Sequence, residues 1–178
     1  MKILIAEDSR FSLDLIKSIL EEMGFDVLTA ENGMAAWHIF EREEISLLIS
    51  DWIMPQMDGL ELCRRVRASP PRIGYTYIMM VTVQEGLKNF VTGMAAGADD
   101  FILKPFEPEM LRCRVRVAQR VLATQHELRS LAAALPFCGV CQSIQQDAAS
   151  MHRLTSFLAA RPELRPALPT CPNCATKA

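Results

Sequence analysis

Short apolar runs and amphipathic stretches alternate five times between Lys2 and about residue 122. The runs Lys2–Ala6, Val27–Ala30, Ser46–Ser50, Tyr77–Val81 and Phe101–Leu103 read as strands. Ile3-Leu4-Ile5-Ala6, Leu47-Leu48-Ile49 and Ile78-Met79-Met80-Val81 are apolar without alternation, as parallel strands covered on both faces require. Between them, Ile16, Ile19, Leu20 and Met23 follow helical spacing up to Gly24, and Gly33–Glu43, Gly59–Ala68 and Glu85–Ala96 supply three more helices. A fifth opens at Pro108-Glu109, proline and acid suiting a first turn. This alternation predicts an α/β fold: a doubly wound five-stranded parallel sheet.

The functional crevice of such a sheet lies at the carboxyl ends of its strands. Here the ends carry Glu7-Asp8, Asp51, Thr82 and Lys104, polar groups that emerge where the apolar runs end. In the sheet order 2-1-3-4-5, the four strands bearing them are contiguous and the side chains converge. Three crowded carboxylates repel unless a cation intervenes, and a hard divalent ion such as Mg²⁺ suits them. The Lys104 ammonium and Thr82 hydroxyl would then meet the oxygens of an incoming phosphoryl group, whose transfer rests on positioning and electrostatics.

These residues resemble the receiver domains of bacterial two-component response regulators. Asp51-Trp52-Ile53-Met54-Pro55-Gln56-Met57-Asp58-Gly59 is similar to the family's signature around its phosphorylated aspartate. Glu7-Asp8 matches the metal-binding acidic pair, Thr82 the hydroxyl switch, Lys104-Pro105 the phosphate-binding lysine, and Phe101 the aromatic switch. The resemblance spans residues 1–122. It implies a CheY-like phosphoacceptor: Asp51 takes a phosphoryl group from a histidine kinase with Mg²⁺ held by Glu7, Asp8 and Asp51. Thr82 then moves inward, Phe101 follows, and the face of the fourth helix, fifth strand and fifth helix changes for a downstream protein. Ile53 and Val83 stand where the family controls water access to the phosphate; both are apolar, so slow self-dephosphorylation is expected.

Beyond the fifth strand, Glu109–Leu135 holds no Gly or Pro, and Leu111, Val115, Ala118, Val121/Leu122, Leu128, Leu131 and Leu135 form a rough stripe. The fifth helix is therefore expected to continue over 123–135 as a connecting helix, able to pair with a second copy as a short homodimeric coiled coil. Residues 136–178 are too few for an ordinary core and need a staple. Cys138, Cys141, Cys171 and Cys174 form two C-x-x-C pairs separated by 29 residues, suited to a structural Zn²⁺. A redox or disulfide pair and unliganded cysteines are the alternatives. One helix, Gln145–Ala160, is expected in the gap, and His152 reads as an ordinary histidine. The segment also resembles a cysteine-rich tail appended to bacterial signalling proteins, but has Gln142-Ser143-Ile144 and Leu168-Pro169-Thr170 where that tail carries charged, aromatic and histidine groups. Cys63 and Cys113 are expected to be small core residues.

The net charge of −2 hides an asymmetry: residues 1–61 carry 13 acids and 4 bases, residues 62–130 carry 6 acids and 11 bases. Arg112, Arg114, Arg116, Arg120 and Arg129 belong to the basic part, and read as a solvated helix face. A DNA-binding regulator using this helix or the cysteine module is the alternative function. It is disfavoured by only four bases in 136–178 and no helix-turn-helix pattern. A bare relay receiver is another reading. No output-enzyme motif is present. No stretch approaches the roughly 18 apolar residues of a membrane span, and the N-terminus meets Glu7-Asp8 too soon for a secretion signal, so a cytoplasmic location is expected.

Overall fold

The protein is described by a computed structural model covering residues 1–69 and 74–134. Five strands, β1 (Lys2–Ala6), β2 (Asp26–Ala30), β3 (Leu47–Ser50), β4 (Tyr77–Thr82) and β5 (Asp100–Leu103), alternate with five helices. These are α1 (Arg10–Glu22), α2 (Gly33–Phe40), α3 (Gly59–Ala68), α4 (Leu87–Ala95) and α5 (Pro108–Ala134). The strands form one parallel sheet in the expected order, β2-β1-β3-β4-β5.

Successive strand residues point to opposite faces, so each apolar run feeds two cores. Leu4, Leu48, Ile78 and Met80 pack with Ala36, Leu62, Cys63 and Val66 from α2 and α3. Ile3, Ile5, Leu47, Ile49, Met79 and Val81 pack with Ile16 and Leu20 of α1 and Leu111, Val115 and Ala118 of α5. This is the physical reason for the uninterrupted apolar runs: in β1, β3 and β4, all residues but Lys2 are buried.

Side chains cap three helices: Ser9 accepts from the Ser12 amide, Asn32 from that of Ala35 and Asp58 from that of Glu61. The N-cap of α4 is Gly86 at φ +95°, with no side-chain bond to the helix. That left-handed backbone keeps α4 from starting at Glu85. Helix α2 stops at Phe40 rather than Glu43, because the amides of Arg42 and Glu43 both turn back to the Ile39 carbonyl.

Cys63 is buried as expected, but Cys113 is exposed. It lies about two residues, or roughly 200°, around α5 from the inward-facing Leu111. The expected α5 stripe divides in the same way: Leu111, Val115 and Ala118 are buried, whereas Val121 and Leu128 are exposed.

The chain divides into two compact units, Met1–Leu122 and Ala123–Ala178. The first contains the sheet. Of the second, the described residues are the continuation of α5, helical through Ala134. The four cysteines Cys138, Cys141, Cys171 and Cys174, the helix expected over 145–160 and His152 lie outside the described residues. No helix among the described residues is long and apolar enough to cross a membrane.

Candidate functional site

The carboxylates are placed by backbone bonds that continue the sheet past its strand ends. The Glu7 amide donates to the Ala30 carbonyl at 3.0 Å, and the Asp51 amide to that of Ala6 at 2.8 Å. On the far side, the Lys104 amide donates to the Thr82 carbonyl at 2.9 Å. The three side chains thus emerge from the same end of the sheet.

They meet there. Lys104 Nζ lies 2.6 Å from Glu7 Oε2 and 2.6 Å from Asp51 Oδ2. The other Asp51 oxygen, Oδ1, accepts from the amides of Trp52 (2.5 Å) and Ile53 (3.2 Å). Glu7 Oε1 accepts from the Ser9 amide. Glu7, Asp8 and Asp51 offer oxygens that all lie within 4.8 Å of one another, Glu7 and Asp51 buried and Asp8 exposed. This set of hard oxygens, open on the Asp8 side, fits a Mg²⁺-sized ion that keeps some of its water.

Burial, the largest influence on Glu7, pushes its carboxyl above the usual range despite the neighbouring ammonium. Burial also opposes the charge of Lys104, but bonds to Asp51 and Glu7 outweigh it and raise its pKa. A carboxyl with a raised native pKa binds its proton more readily folded than unfolded, so its contribution to stability is lost as pH rises through the native value. In Mg²⁺-free buffer, Glu7→Gln is expected to be more stable than wild type at pH 7. The gap should open as pH climbs above the ordinary range of a glutamate carboxyl. Denaturant melts across pH check this; a less stable variant at pH 7 would show that the ionised carboxylate is a net gain.

Thr82 closes β4 as its last residue, wholly buried, paired with Leu103 just before Lys104. Its Oγ1 accepts from the Gln84 amide at 3.2 Å. Phe101 is half-buried and lies edge-on to Trp52 and to Phe90, with ring centroids 6.3 and 5.8 Å away. Ile53 and Val83 are both more than half exposed. Glu7, Asp8, Asp51, Thr82 and Lys104 thus stand at this end of the sheet, while Phe101 lies within β5, level with Met80.

Several supporting groups were not legible in the sequence. Ser50 Oγ donates to the Asp51 carbonyl at 2.8 Å, and Gly59 lies so close that a Cβ would stand 2.0 Å from that same oxygen. A polar residue closing an otherwise apolar strand was the available sign for Ser50. The α5 arginines are tied to acids of their own domain: Arg112 to Glu22 (2.7 Å), Arg114 to Asp100 (3.0 Å) and Arg116 to Glu109 (3.5 Å). Charge patterning alone cannot show such pairings.

The response regulator receiver domain family matches residues 3–116. A chemotaxis protein CheY homolog of Campylobacter jejuni is 40% identical over 114 residues, covering 63% of this chain and 87% of its own length. Chemotaxis protein CheY1 of Helicobacter pylori is 38% identical over 119 residues, 66% of this chain and 95% of its own. Among solved structures, the chemotaxis response regulator CheY4 of Vibrio cholerae superposes with a TM-score of 0.62 at 30% identity, covering 66% of this chain and 97% of its own.

Proposed function

The chain belongs to the response regulator receiver family, and on that premise we propose that Asp51 accepts a phosphoryl group from a histidine kinase and that the phosphorylated domain signals by contact with a downstream protein. The observation that carries this reading is the approach of one ammonium to two carboxylates, Lys104 at 2.6 Å from both Glu7 and Asp51, at the carboxyl end of a doubly wound sheet.

In the proposed step an Asp51 carboxylate oxygen attacks phosphorus, the phosphorus–nitrogen bond of the donor's phosphohistidine breaks, and the departing imidazole takes up a proton. The amides of Trp52 and Ile53 hold the carboxylate in place. Lys104 neutralises charge on the transferred group. When bound by Glu7, Asp8 and Asp51, Mg²⁺ supplies further positive charge to the phosphoryl oxygens. Thr82 then turns its hydroxyl from the Gln84 amide to the phosphoryl group, and Phe101 packs behind it.

The output surface is the exposed apolar side of α4 and its neighbours: Leu87, Phe90, Val91, Met94, Leu103 and Met110. A cluster of this kind suits a protein partner. The DNA-binding alternative has less support, since Arg112, Arg114 and Arg116 are already paired with acids. A second copy can also meet α5, where Val117 and Val121 are exposed; sedimentation across concentrations tests that pairing. The Zn²⁺ staple at Cys138, Cys141, Cys171 and Cys174 stays a proposal on residue spacing alone, tested by metal analysis of the purified chain.

The phosphoacceptor reading is tested by the fluorescence of Trp52, whose amide donates to Asp51 and whose ring lies edge-on to Phe101. Beryllofluoride with Mg²⁺ is expected to change the emission of wild type and leave that of Asp51→Ala unchanged. An equal change in both would place the response elsewhere. With apolar Ile53 and Val83 flanking the site, a phosphoryl group once attached should persist for minutes or longer, and a lifetime of seconds would contradict that part of the proposal.

A further inference from the structure

The two ends of α4 are held in very different ways. At the C-terminal end, Arg67, from the last turn of α3, reaches across to the turn between α4 and β5. Its Nε donates to the Gly97 carbonyl at 2.8 Å and its Nη2 to Asp99 Oδ2 at 2.7 Å. Its Nη1 donates to the Thr76 carbonyl at 2.7 Å, which ties the start of β4 into the same knot. The Tyr75 ring lies under the guanidinium, 4.8 Å from centroid to Cζ, and its hydroxyl donates to Asp99 Oδ1. Asp99 Oδ2 also accepts from the Ile78 amide at 2.7 Å. Gly97, at φ +105°, leaves room for the arginine stem, since a Cβ there would stand 2.7 Å from Arg67 Cγ. A planar guanidinium with several fixed donors suits such a multidentate clamp.

The N-terminal end has no comparable clamp among the described residues. Its cap is Gly86, without a side-chain bond to the helix. Leu87, Phe90 and Val91 face solvent, and Gly93 is the only buried residue of α4. What touches this end is lighter and in part runs back to the site. Thr82 Oγ1 accepts from the Gln84 amide, and Gln84 Oε1 accepts at 3.3 Å from Asn89 Nδ2 in the first turn of α4. That nitrogen also donates to the Glu85 carbonyl at 2.7 Å, and Phe90 lies edge-on to Phe101.

We propose that Arg67, with Asp99 and Tyr75, is a positioning cluster that pins the C-terminal end of α4, so that a change at Thr82 moves the helix only at its N-terminal end. The pin lies at the opposite end of the strands from Asp51, where β4 and β5 begin, and touches no reacting group. It converts release of the Gln84 amide by Thr82 into a pivot of α4 about the Gly97 turn, rather than a loosening of the whole helix. That swings Leu87, Phe90 and Val91 while leaving the Ala96–Asp99 segment still. The pivot rests on the phosphoacceptor reading; the clamp itself does not.

Amide hydrogen exchange on the full chain, with and without beryllofluoride and Mg²⁺, separates the two. In wild type, loading is expected to alter exchange in residues 83–91 and not in 95–99. In unloaded Arg67→Ala, exchange in 95–99 should rise at least tenfold more than in β1 and β3, which report overall stability, and loading should now reach 95–99. Arg65→Ala, on the same helix but bonded to Glu61, should behave as wild type. If Arg67→Ala fails to fold, Asp99→Asn removes the ion pair with little change of shape, and a smaller rise confined to 95–99 is expected. A rise matched by β1 and β3, or a wild-type loading response as large at 95–99 as at 83–91, overturns the proposal. If loading changes nothing anywhere in wild type, the phosphoacceptor reading fails, and the unloaded comparison still decides whether Arg67 pins the turn.

Discussion

Lys104→Ala is expected to slow phosphorylation of the chain by acetyl phosphate about 10²-fold, the usual cost of removing one preorganised charge-stabilising donor. The Lys104 side chain is only 13% exposed, and its ammonium sits 2.6 Å from both Glu7 and Asp51, the proposed attacking carboxylate. In so sheltered a place its charge is worth far more than on an open surface. Neither Thr82 nor the Trp52 and Ile53 amides can replace it, because none carries a full charge. Lys104→Arg should fall between, keeping the charge but presenting a planar group where a compact one fits. Circular dichroism on each variant separates a lost donor from a lost fold. A folded Lys104→Ala protein phosphorylated within threefold of the wild-type rate would remove Lys104 from the mechanism.

Gly59→Ala is expected to destabilise the fold by about 3 kcal/mol, at the upper end of the usual range for overpacking, and to disturb the site as well. The added carbon would stand 2.0 Å from the Asp51 carbonyl oxygen, 3.0 Å from its carbon and 2.9 Å from Met80 Cε. The methionine tip can swing aside. The Asp51 backbone cannot, since its amide is bonded to Ala6 and its carbonyl accepts from Ser50. Relief therefore has to come from moving Asp51, the proposed phosphoacceptor. Gly24→Ala makes a useful contrast: its Cβ meets nothing within 4 Å, and only the strain of φ +81° is left, about 1 kcal/mol. Urea melts of the two variants give the comparison. A Gly59→Ala loss no larger than that of Gly24→Ala would mean that the β3–α3 segment yields easily.

Much of the sheet could be read from residue type because burial on both faces leaves a plain signature. Ile3–Ala6, Leu47–Ile49 and Ile78–Val81 are apolar throughout for the reason the two cores make visible, and the polar groups that end these runs lie at the crevice. Helix ends were read less well, since they depend on single backbone angles: Gly86 at φ +95° delays α4, and the turn after Ile39 shortens α2. Cys113 was misplaced because two residues of helical phase carry a side chain from the core to solvent. The contacts that hold Asp51 are mostly amides and a glycine, which have no side-chain chemistry to notice. The Arg67 knot joins residues up to 32 positions apart, and nothing in the spacing of Arg67, Tyr75 and Asp99 announces it.

The central claim is that this chain carries a working phosphoacceptor at Asp51. Intact-mass measurement after incubation with acetyl phosphate and Mg²⁺, followed by peptide mapping, tests it most directly. One phosphoryl group is expected per chain, on the peptide holding Asp51, absent from Asp51→Ala and from samples treated with chelator. A phosphoryl group that persists in Asp51→Ala, or a wild-type protein that gains none, would contradict it.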